Sequence, residues 1–80
     1  MDETLLTREP TGSKSYRLYL TIYEQYYVLV GTVDGYFDLW SKNWIYNAYH
    51  RGKITSFYST EEAEKYLLKQ FKEIHDARSL

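Results

Sequence analysis

Eighty residues, 44% hydrophobic and none of them cysteine, set a single domain near the size at which one core becomes thin, with no disulfide or thiolate metal site to staple it. A net charge of −1 at pH 7 supplies no general field for nucleic acid or an anionic membrane, so binding of that kind would have to be local. No stretch approaches the roughly 18 apolar residues of a membrane span. Met1-Asp2-Glu3 is acidic where a secretion signal would be basic, and the expected location is cytoplasmic.

Taken in order, residues 1–14 hold Pro10, Gly12 and Ser13 with only Leu5 and Leu6 as apolar anchors, and read as a flexible N-terminal arm. Residues 15–75 read as one α+β domain. Its first strand runs from Ser15 to Tyr23, where Tyr16, Leu18, Leu20 and Ile22 alternate with Arg17, Tyr19, Thr21 and Tyr23, the even set facing inward. Glu24-Gln25 interrupts the pattern, and one residue of slip there would exchange core and surface. The pair lacks the Gly or Asn of a tight primed turn, so a three-residue turn is expected, joining the even set to a core of Val28, Val30, Phe37 and Leu39.

Tyr26 to Trp40 reads as a β-hairpin folded at Asp34-Gly35, a dipeptide suited to the positive φ angles of a type I′ turn. Alternation then places Tyr27, Leu29, Gly31, Val33, Tyr36, Asp38 and Trp40 on the opposite, more aromatic face. Ser41-Lys42-Asn43 and Arg51-Gly52 read as further turns, with strands at Trp44–His50 and Lys53–Tyr58 between and after them. The meander of four to five antiparallel strands ends in one helix. Ser59-Thr60-Glu61-Glu62 fits a capping box, and Ala63, Tyr66, Leu67, Phe71 and Ile74 recur at helical spacing as a stripe for one sheet face. Glu61, Glu62 and Glu64 suit the positive end of that helix, Lys69, Lys72 and His75 the negative end. Residues 76–80 read as a frayed tail.

Chemistry finds little purchase. Without cysteine, with His50 and His75 placed at a strand end and a helix end, and with Asp34 and Asp38 reading as turn and edge-strand residues, no catalytic, metal or cofactor site is expected. The compositional outlier is tyrosine: ten Tyr, two Trp and three Phe make 19% of the chain. At about 150 to 250 Å² each, these rings exceed what one helix on one sheet can cover. Aromatic side chains are enriched at interface centres because they bury much area with few rotamers to freeze. Tyr27, Tyr36, Trp40, Trp44 and Tyr46 are the candidate protein-binding residues, with Tyr19 and Tyr23 adjacent, and the expected partner is another protein or a second copy of the chain.

A second reading rests on charge. From Leu39 through Thr60 there is no acidic residue, while Lys42, Arg51 and Lys53 interleave with Trp44 and Tyr49. Cations for phosphate and flat rings for base stacking are the ingredients of single-stranded nucleic-acid or DNA-end binding. In the same stretch, Trp44, Ala48, Gly52, Phe57, Ser59, Glu61-Glu62-Ala63 and Tyr66 resemble the back half of the WGR domain, a small sheet-plus-helix module of DNA-end and poly-ADP-ribosylation proteins. The resemblance covers about a third of the chain and implies the strand-to-helix topology. Ile45 and Tyr46 stand where the signature Gly-Arg would follow the tryptophan, so it implies none of that family's interdomain or DNA contacts.

Overall fold

The computed structural model describes residues 6–23 and 26–78. Its elements are β1 (Leu6–Pro10), β2 (Ser15–Tyr23), β3 (Tyr26–Asp38), β4 (Asn43–His50), β5 (Lys53–Phe57) and α1 (Thr60–Arg78). The strands form one antiparallel sheet in chain order, and α1 lies on one face of it against β3, β4 and β5. This is the α+β meander with a C-terminal helix that the sequence predicts. Among the described residues no helix is long and apolar enough to cross a membrane.

The core forms where the two periodicities meet. Leu18 and Leu20 of β2, Val30 and Val33 of β3 and Ala48 of β4 are buried against Ala63, Leu67 and Phe71, the stripe of α1. Each fully buried Leu or Val contributes roughly 1.5 to 3 kcal/mol. Ser59 caps the helix: the Glu62 amide donates to its Oγ at 3.2 Å and the Ala63 amide to its carbonyl at 3.2 Å. Small residues set the distance between layers. A Cβ on Gly31 would meet Leu67 Cδ2 at 2.6 Å, and one on Gly35 would meet the Tyr46 ring at 2.9 Å.

Three sequence expectations are corrected. Asp34-Gly35 is not a turn: β3 runs straight through it for 13 residues. Its first part pairs with β2, down to Ser15↔Asp34, and its last part with β4, from Thr32↔Tyr49 to Asp38↔Asn43. Gly35 has no positive φ; its missing side chain instead lets the Lys14 carbonyl accept its amide at 2.8 Å beneath the Tyr46 ring. The chain reverses at Leu39–Lys42, where the Lys42 amide donates to the Asp38 carbonyl at 2.7 Å and Lys42 takes φ 58°. The type I′ turn belongs to Arg51 and Gly52, at φ 49° and 82°.

The two faces of β3 are also redistributed. Leu18 pairs with Gly31 but Tyr19 with Leu29, so Val30 is the extra residue of a β-bulge. A one-residue insertion exchanges the faces of everything beyond it. Val28 and Val30 therefore point toward α1 before the bulge, and Val33 does so after it. Val33 is fully buried rather than on the open side, while Phe37 and Leu39, expected in the core, are exposed. The Glu24-Gln25 turn lies outside the described residues. On either side of it Tyr23 pairs with Tyr26, leaving two residues between the strands where three were expected; a second register shift between Thr21 and Tyr23 then sets Leu20 opposite Val28, so the even set still meets the Val28 face.

The third correction concerns both ends. Leu6–Pro10, expected in the flexible arm, is strand β1, paired from Leu6↔Leu20 to Pro10↔Tyr16. Its own pattern is too polar to announce a strand, and Pro10 is tolerated because β1 is an edge. At the other end α1 continues through Asp76 to Arg78, where a frayed tail was expected.

Candidate functional site

The face of the sheet turned away from α1 has no covering layer among the described residues. Its outward residues include Tyr19 of β2, Tyr27, Leu29 and Tyr36 of β3, Ile45 and Tyr49 of β4 and Ile54 of β5, as the ladder register and strand alternation require. Tyr27, Leu29 and Ile54 are each more than half exposed. A polar row crosses the middle of this face: Ser15 donates to Asp34 Oδ1, and Ser56 Oγ donates to Asn47 Oδ1 at 2.6 Å. Two apolar areas result, the larger holding Tyr27, Leu29, Tyr49 and Ile54, the smaller Tyr36 and Ile45.

The five candidate protein-binding residues do not form one surface. Tyr27 and Tyr36 share the open face. Trp40 is at the β3–β4 turn and is 96% exposed. Trp44 and Tyr46 lie on the helix side. Trp44 makes an edge-on contact with Phe37, ring centroids 5.7 Å apart, and carries the Lys14 ammonium 5.2 Å above its own ring. Tyr46 packs on the core beside Phe57, whose ring in turn meets Tyr66 at 5.3 Å. Leu29, expected on this face, and Ile54 are not among the candidates, which are all aromatic.

The candidate nucleic-acid residues are dispersed as well. Lys42 and Arg51 occupy the turns at opposite ends of β4, and Lys53 is beyond the second. Trp44 and Tyr49 point to opposite faces, since their positions differ by an odd number along one strand. His50 is half-buried at the end of β4. Its Nδ1 lies 3.4 Å from the Val30 carbonyl, and its buried Nε2 has no partner among the described residues.

Two carboxylates, Glu64 and Asp38, are shifted by the partners that hold them. Glu64 of α1 accepts from Arg8 Nε at 2.7 Å, Arg8 Nη2 at 2.6 Å and the Tyr16 hydroxyl at 2.6 Å. Burial pushes its pKa up, but the hydrogen bonds from Arg8 and Tyr16 outweigh this and hold it below the usual value. Burial, then the neighbouring Glu64, pushes the Tyr16 phenol well above its ordinary range, so it stays a donor. Asp38 accepts from Ser41 Oγ at 2.6 Å and from the Ser41 amide at 3.2 Å, and the hydroxyl bond is the main reason its pKa is lowered. Asp34, expected in a turn, is thus a strand residue, while Asp38 ends β3 and holds the turn that follows.

No protein-family model, no curated protein and no solved structure matches the chain.

Proposed function

We propose that the chain is a non-catalytic protein-binding module that docks a partner protein on the open face of its sheet. The observation that carries this reading is the exposure of Tyr27, Leu29 and Ile54 together on a sheet face that no described element covers. Large aromatic and aliphatic side chains on a flat, ordered surface lose little freedom on docking, which is the economy of interface centres. The polar row of Ser15, Asp34, Asn47 and Ser56 offers hydrogen bonds that fix a partner's orientation. Trp40, at the turn, extends the contact beyond the sheet.

Site-specific photocrosslinking tests the reading. A photoreactive phenylalanine analogue at Tyr36 or at Ile45 is expected to give, in the native host, a discrete adduct heavier than two copies of the chain. The same analogue at Lys69, on the solvent side of α1, is expected to give none. Absence of adduct from the open face, or an equal yield from Lys69, overturns the proposal.

A further inference from the structure

β3 is longer than either neighbour, and the two neighbours cover different parts of it. β2 pairs with it from Tyr26 to Asp34, whereas β4 begins to pair only at Thr32 because the chain turns away at Arg51-Gly52. Along Tyr26–Gly31, the β4-side edge of the backbone therefore has no strand partner among the described residues. The His50 ring stands 3.4 Å from the Val30 carbonyl, beyond a good hydrogen-bond length. Beside this edge runs a groove of about 580 Å³, with Phe71 and Ile74 of α1 on the helix side and Tyr49 and Ile54 toward the open side. His50 and Arg51 close one end of it, and along the rest a strand filling it would meet apolar side chains on both faces.

The chain contains one such strand. Tyr26-Tyr27-Val28-Leu29-Val30 is its longest uninterrupted apolar run, and no charged residue falls between Gln25 and Asp34. The outer edges of the sheet are defended in the usual way: β1 carries Arg8, Glu9 and Pro10, and β5 is five residues long and starts at Lys53. The inner half-edge of β3 carries no such protection. An antiparallel pair made of one segment with itself is two-fold symmetric, so each copy offers what the other needs.

We propose that two copies of the chain associate through these half-edges, Tyr26–Gly31 against Tyr26–Gly31, giving one sheet continuous across both copies with the axis near Val28. The alternation sends Val28 of each copy toward the helix side of the other's groove, and Tyr27 and Leu29 toward the other's Tyr49 and Ile54. Both helices then lie on one side, and both open faces on the other. This goes beyond docking on the open face, because it uses backbone at an edge and leaves Tyr36 and Ile45 free. Each reading can therefore fail alone: the photocrosslink at Tyr36 reports the face, and the mass of the purified chain reports the edge.

The experiment is light scattering on the purified full chain from micromolar to sub-millimolar concentration, followed by single-cysteine variants. The expected mass is twice that of the chain, and Leu29→Lys, which sets two like charges diagonally across the axis on an apolar seam, is expected to halve it while circular dichroism stays unchanged. Because the chain has no cysteine, Tyr27→Cys, Val28→Cys or Leu29→Cys can form only a disulfide between copies. At least one of the three is expected to do so on mild oxidation, and Tyr36→Cys is not. A single-chain mass across the whole range, or a disulfide at Tyr36 and none at positions 27 to 29, overturns the proposal.

Discussion

A methyl group on Gly31 would stand 2.6 Å from Leu67 Cδ2 and 2.8 Å from the Tyr49 carbonyl oxygen, one a core side chain and the other immovable backbone. Gly31→Ala should therefore push α1 off the sheet, with a loss of about 2 to 3 kcal/mol in urea unfolding. Gly52→Ala meets nothing within 4 Å but must hold φ +82°, and about 1 kcal/mol is expected there from backbone strain alone. Glu64 is the other residue whose position decides much, because three donors converge on it from two strands. Its folded pKa is lowered, so the stability it contributes is complete above the ordinary glutamate value and is lost as the pH falls through the folded one. Glu64→Gln should lower stability at neutral pH by about 1 to 2 kcal/mol, Arg8 being half exposed. The gap between variant and wild type should close in acid, read from urea midpoints at both pH values. Neither residue announces itself in the sequence. Gly31 reads as one more strand position and Glu64 as one of three acids at a helix start, because long-range approach leaves no local trace.

At the scale of elements, the contrast between Asp34-Gly35 and Arg51-Gly52 is the instructive one. Local preference favours the first as a tight turn, and the structure makes the second one. What overrides the preference is the continuity of β3: Gly35 is needed for its lack of side chain under Tyr46, and Asp34 is held in the strand by the Ser15 hydroxyl. Arg51 tolerates its left-handed conformation at a cost. Arg51→Asn should relieve it and raise stability by about 1 kcal/mol, detected as a higher urea midpoint with unchanged slope. The capping box at Ser59, the stripe of α1 and the alternation of β2 were all legible because each is a local pattern with one dominant partner. The β3 bulge was not. A two-sided apolar strand reads alike in either register, and only its neighbours in space choose which residue is extra.

For the molecule as a whole, the fold class could be read from the order of strand-like and helix-like segments, since a meander needs only neighbours to pair. The candidate site could be read only in part: the surplus of rings is real, yet the bulge and the turn scatter Tyr27, Tyr36, Trp40, Trp44 and Tyr46 over two faces and a loop. The tie from Arg8 and Tyr16 to Glu64 is also a whole-molecule feature, bridging 56 and 48 positions of chain. β1 contributes to one ladder only, at the border of the sheet, and Arg8 clasps the helix at Glu64. Detaching it breaks no pairing among the other four strands and leaves Leu67 and Phe71 covered by β3 and β4. The leading segment can thus open as a small cooperative unit of its own, at a free energy well below that of global unfolding, and acid that protonates Glu64 loosens this hem before it reaches the fabric.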